Sequence, residues 1–304
     1  MTRSPVQLLH ALARSLASRF ERERRASYID EAINLGREAL RRCPLGHPQR
    51  SDSLACLAIH LGDRYEKLGT TRDLEEAIVL DREGLNLRPQ GHPLRSNSLN
   101  NLARRLSIRY GRLGAMQDLD EAIVLNREAL NLRPRGHPLR SSSLSGRANC
   151  LSNRYDQLGA TRDLDEAVVL GQEVLDLCPQ GHPLRARSLN NLASYLSARY
   201  GRLGAMQDFD VANVLNREAL SFCPQGHSDW SLSLTNLATR LSTRFKQLGA
   251  IQDLDEAIIL AREALDPCPP ARLRSIILNN LAIDLSSRYQ HLGAMQGLDT
   301  IVLS

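Results

Sequence analysis

The chain has 304 residues, 42% hydrophobic and 24% charged, enough for one elongated domain or two ordinary ones. Its 39 basic and 34 acidic residues give a net charge of +5, and the basic ones are scattered, with no run of the kind that marks a nucleic-acid or nuclear-import patch. No stretch of about 18 apolar residues is present to span a bilayer, and MTRSPVQLLHALARSLASRF is too interrupted by charge for a secretory core, so a cytoplasmic location is expected.

Along the chain the same segment returns. His47, His92, His137, His182 and His227 follow at intervals of 45, as do Tyr65, Tyr110, Tyr155 and Tyr200, with Phe20 before them and Phe245 after. The interval from Phe245 to Tyr289 is 44, because the linker from Cys268 to Leu273 is one residue short and lacks the Gly-His pair. Seven units result, at about 4–47, 48–92, 93–137, 138–182, 183–227, 228–271 and 272–304, forming one repeat array over 1–304. A period of this size marks stacked units, none of which buries its apolar face alone.

Each unit reads as two helices. Leu99, Leu102, Ala103, Leu106, Tyr110 and Leu113 fall on one face of a first helix of about 17 to 20 residues. Gly114 then suits a left-handed helix end, and Asp118 is expected to cap the second helix, which carries Leu119, Ala122, Ile123, Leu125, Ala129 and Leu130. Pro134 and Gly136 close the unit, and the same proline recurs at Pro44, Pro89, Pro179, Pro224 and Pro269. In the fourth unit Arg147 replaces the core leucine and Gly146 the preceding Asn; burying an unpaired charge costs several kcal/mol, so this unit is expected to be a soft point. The seventh unit should stop inside its second helix, leaving Leu298, Ile301 and Val302 uncapped, as in a fragment of a longer protein.

Chemistry is sparse. Cys43, Cys178, Cys223 and Cys268 occupy one place in different units. Packed helices lie roughly 10 Å apart, beyond the reach of a disulfide at about 7 Å between Cα atoms, so these are read as reduced thiols. There is no CxxC or HxxxH to hold a metal, no Gly-rich phosphate loop, and no nucleophile beside a base; neither catalytic residue nor cofactor is expected. The arginines before the aromatic (Arg19, Arg64, Arg109, Arg154, Arg199, Arg244, Arg288) are expected to pair with Asp73, Asp118, Asp163, Asp208 and Asp253 across the turn, and the Gly-His-Pro histidines to be turn residues.

The runs Asn-Asn-Leu-Ala at 100–103 and 190–193, Glu-Ala at 121–122, Ala-Leu at 129–130 and Gly-His-Pro at 136–138 resemble tetratricopeptide repeats of the kinesin-light-chain variety, over the whole chain. The resemblance implies an all-α, right-handed superhelical solenoid of antiparallel helix pairs. It departs from the family at the middle of the second helix, where Gly36, Asp81, Asn126, Gly171, Asn216 and Ala261 replace the usual aromatic, and in a period longer than about 34 residues. The LGxxxDLDEA and GHP linkers look most like arrays of basidiomycete fungi that precede a CHAT domain, implying an effector domain in the same longer chain.

The resemblance also implies a concave groove that binds a peptide or partner domain, lined by Asn101, Asn191, Asn236 and Asn280, with Asn100, Asn190, Asn279 and Arg104 beside them. An amide both donates and accepts and so suits an extended backbone, while Arg104 suits an acidic ligand. An RNA-binding array needs stacking aromatics, and aromatic residues are only 4% here. Residues 110–130 and 200–220 differ at three of 21 positions, which points to a two-unit duplication.

Overall fold

In a computed structural model, which describes residues 4–223, 230–266 and 271–302, every described element is helical. The chain divides into two compact units, residues 1–158 and 159–304. The first holds α1 (Pro5–Glu23), α2 (Ala26–Arg41), α3 (Arg50–Leu68), α4 (Thr71–Asn86), α5 (Arg95–Leu113), α6 (Met116–Asn131) and α7 (Arg140–Leu158). The second holds α8 (Thr161–Asp176), α9 (Arg185–Leu203), α10 (Met206–Ser221), α11 (Trp230–Leu248), α12 (Ile251–Leu265) and α13 (Ala271–Val302). Within each, consecutive helices pack as hairpins: α1 with α2, α3 with α4, α5 with α6, α9 with α10 and α11 with α12. Each hairpin's second helix then packs on the first helix of the next.

The repeated side chains explain the hairpin. Leu99, Leu102, Ala103 and Leu106 on α5 and Leu119, Ala122 and Ala129 on α6 are all buried, the alanines allowing close approach of the two axes. The first helices α3, α5, α7, α9 and α11 have 19 residues each, within the expected length. Where α3, α5, α9 and α11 bury a leucine, α7 carries Arg147, which stays half-buried. Leu113, read as core, is instead 62% exposed; it sits at the helix end beside the turn, as do Leu68, Leu158, Leu203 and Leu248. Gly114 closes α5 with φ 70°, a left-handed conformation that costs glycine little.

Asp118 does not cap α6. Ala115 is the N-cap residue and makes no side-chain cap bond. Asp118 is buried and accepts two hydrogen bonds from Arg109, at Nε and Nη2, both 2.6 Å. The bidentate geometry outweighs a single cap bond because both partners are charged. The same clamp joins Arg64 to Asp73 (2.7 Å twice), Arg199 to Asp208 (2.7 Å twice) and Arg244 to Asp253. Each of these arginines, apart from Arg244, also reaches back to an acid on the previous second helix: Arg64 to Asp30 (2.7 Å), Arg109 to Glu75 (2.8 Å) and Arg199 to Asp165 (3.3 Å). The recurring arginine therefore ties turn to turn and unit to unit.

The first and seventh units lack the clamp's aspartate. In the first unit Tyr28 stands in the aspartate's place, and Arg19 lies over its ring at 4.8 Å. In the seventh, Gly297 does, and the expected turn at Gly293 is absent. α13 runs on as one helix of 32 residues, correcting the two-helix reading of this unit, while Arg288 bonds Asp255 at 2.6 Å. The side chains of Leu298, Ile301 and Val302 lie outside the described residues, as do Pro224, His227, Cys268 and Pro269.

Candidate functional site

The Gly-His-Pro turns hold the first helices at a fixed start. Gly46, Gly91, Gly136 and Gly181 have φ between 83° and 88°, and Nδ1 of His47, His92, His137 and His182 accepts the backbone N–H two residues on, at 3.1 Å in each. The histidines are consequently turn residues, as their isolation from one another in the sequence implies.

First helices of adjacent units also meet through side chains. Nε2 of His10 lies 3.0 Å from Ser53 Oγ, Ser143 Oγ donates to Asn100 Oδ1 at 3.1 Å, and Asn190 Nδ2 donates to Ser233 Oγ at 2.8 Å. Asn190 is buried, and Asn100 is engaged in addition by Arg133. These two amides stitch neighbouring helices together. Asn101, Asn191 and Asn236 are half-buried one position further round the helix; Asn280 donates to Thr239 Oγ1 at 3.2 Å, Asn279 is exposed, and Arg104 is paired with Glu66.

Among them Asn101 lies in a cleft. A cavity of about 530 Å³ opens between α1, α3 and α5, lined by His10, Arg14, Cys56, His60, Asn97 and Asn101 among others. Burial pushes the Cys56 thiol up to about 11, so it is an S–H group, and its sulfur is 3.4 Å from His60 Nε2. Burial first, then His10 and Arg14, push His60 down to about 4, leaving a neutral imidazole at neutral pH. His10 is lowered by burial and by Arg14. Asp52 at the rim is bonded at 2.6 Å by buried Arg88. The cleft thus combines neutral donors and acceptors with the exposed Arg14 guanidinium, a set that hydrogen-bonds a chain and favours negative charge. His10 and His60 were not legible as site residues, because each occupies a position where the other units carry something different, whereas Arg14 stands two periods before Arg104 and could have been found from it.

Among the described residues no group of three or more His, Cys, Asp or Glu could hold a metal ion, and no helix is long and apolar enough to cross a membrane. Cys43, Cys150 and Cys178 are buried free thiols, and Cys223 is buried as well.

The fold is that of a stacked helical-hairpin repeat protein. The family model described as tetratricopeptide repeat matches residues 96–139 and 230–269. Among curated proteins none matches. Solved structures with this fold include BtubC (BKLC) from P. vanneervenii, 20% identical over 82% of this chain and 93% of that one, TM-score 0.54. Another is a single-substitution variant of nearly identical TPR-like repeats from a Podosopora anserina protein described as a kinesin light chain, 22% identical over 73% of this chain and 100% of that one, TM-score 0.50. The all-helical, paired-helix fold expected from the sequence is the fold observed.

Proposed function

We propose that the chain is a non-catalytic scaffold that binds an extended peptide or a segment of a partner protein along the face built by its first helices, as one repeat array. The observation that carries this reading is the cleft between α1, α3 and α5, in which Asn101 and Cys56 stand beside Arg14. Amides at Asn101, Asn191, Asn236 and Asn280 supply paired donors and acceptors for a backbone, and Arg14 selects an acidic side chain in the ligand. The buried free thiols suit the reducing cytoplasm. The reading is the same whether the array acts alone or regulates a CHAT-type effector domain elsewhere in a longer chain.

Photo-crosslinking tests it. A photoreactive side chain is placed at residue 56 or 101 in the cleft, or at exposed Val124 on α6 as a control, and irradiated in a lysate of the source cell. Protein adducts at 56 and 101, absent at 124 and lost on changing Asn101, Asn191, Asn236 and Asn280 to Ala, are expected. RNA adducts in the cleft, or protein adducts confined to 124, would overturn the reading.

A further inference from the structure

The middle of each second helix, where the usual aromatic is missing, lines up with one position on the first helix that follows. Gly36 is followed 24 residues later by His60, Asp81 by Arg105, Asn126 by Cys150, Gly171 by Tyr195 and Asn216 by Arg240; Ala261 and Asp284 are 23 apart across the shorter linker. All twelve residues are buried. Around them the frame hardly changes: Leu57, Leu102, Leu192 and Leu237 are one residue type at one place, as are Ala77, Ala122, Ala167, Ala212 and Ala257, and all are buried.

Where the contacts are resolved, each pair is matched in size or in charge. Arg105 Nε donates to Asp81 Oδ2 at 2.5 Å, with both side chains 3% exposed. A Cβ on Gly62 would collide with Arg105 Nη1, so the preceding first helix leaves room for the guanidinium. Asn216, its amide oriented so that both ends are satisfied, accepts from Arg240 and donates to Asn190 Oδ1 at 3.1 Å. A Cβ on Gly171 would already touch the Tyr195 ring at 3.2 Å. A wrong neighbour therefore fails in a defined way. Tyr195 cannot sit against Asp81 without a clash, and Arg105 against Gly171 loses its counter-charge.

We infer that this side-chain pair is the specificity element of each contact between repeats, deciding which unit can follow which. The chain has need of one. Residues 110–130 and 200–220 are nearly the same, so the third and fifth units would otherwise be interchangeable, with register slips and swapped pairings as the hazard. They differ at the entry residue and in what it meets: Arg105 takes its counter-charge from Asp81, and the Tyr195 ring lies over the open space at Gly171.

The test transplants one pair into another contact in the full chain. Asp81→Gly and Arg105→Tyr together recreate the Gly171 and Tyr195 pair between α4 and α5. Each single change is expected to lower Tm by about 5 °C or more, and the double change to return within about 2 °C of the parent. Losses in the double equal to the sum of the singles would overturn the inference. If a single variant does not fold, Asp81→Asn replaces Asp81→Gly, because it recreates the Asn216 and Arg240 contact. The Asp81→Asn, Arg105→Tyr double variant should then melt below the Asp81→Gly, Arg105→Tyr double variant, and equal Tm values would overturn the inference equally.

Discussion

Two contacts between repeats bury the same side chain in opposite settings. Between α4 and α5, Arg105 meets the carboxylate of Asp81; between α10 and α11, Arg240 meets the amide of Asn216. Burial pushes Arg240 down to about 10, whereas burial pushes Asp81 up and Arg105 pulls it back. A guanidinium can thus be held inside a repeat contact by a full counter-charge or by a dipole, and the second arrangement leaves the desolvation penalty largely uncompensated. The difference teaches that these positions are tuned pair by pair, while the leucine and alanine frame around them stays constant.

The largest way to break this comparison is to delete the partner. Asp81→Ala leaves a buried unpaired charge and is expected to cost about 3–5 kcal/mol, whereas Asn216→Ala removes a neutral acceptor and is expected to cost about 1–3 kcal/mol. Urea unfolding of both variants measures the gap, and equal losses would mean that the two arginines do not differ in kind. Next comes acid. His60, at the equivalent position opposite Gly36, has its folded pKa lowered to about 4 from 6.5, so the unfolded chain binds the extra proton between those values. Its contribution is complete above pH 6.5 and is lost as pH falls toward 4, on the order of 2–3 kcal/mol. His60→Tyr copies the Tyr195 and Gly171 pair and should remove that loss. Asp63, pushed up to about 6 by burial and by Glu66, titrates in the opposite sense over the same window, so the parent-minus-variant difference across pH 4 to 7 is the quantity to plot.

A smaller effect sharpens the comparison from the other side. Asn216→Asp gives Arg240 its counter-charge and should raise its pKa and add about 1 kcal/mol, read by thermal unfolding at neutral pH. A loss instead would show that the hydrogen bond to Asn190 matters more than the charge. Smallest is the exposed pair of Arg82 and Glu121, 2.6 Å apart. Glu121→Ala should change stability by less than about 1 kcal/mol, and that little should fade in high salt.

Much of the fold is legible in the order of the amino acids alone. The 45-residue interval, the Leu and Ala spacing and the Gly and Pro punctuation define paired helices because a helix must bury an apolar stripe every 3.6 residues and cannot continue through those residues. The pairing of Arg64, Arg109, Arg199 and Arg244 with their turn aspartates is also readable, since the partners recur together. Of the candidate site, Asn101 falls in the cleft, but Asn100 and Asn190 turn inward to serines of the next unit. One position on a helix is a rotation of about 100°, and sequence alone does not say on which side of the neighbouring helix that rotation lands.

By itself, then, the sequence determined that the chain folds as paired helices punctuated by Gly and Pro, because this follows from local spacing and from repetition. Only the tertiary structure decided that Asp118 clamps an arginine instead of capping a helix, that the seventh unit is one helix, and that His10, Arg14 and His60 share a cleft. It alone also brought residues 24 apart into matched buried pairs. Those outcomes depend on which side chains from different units compete for the same space and the same charge, and that competition exists only once the units are stacked.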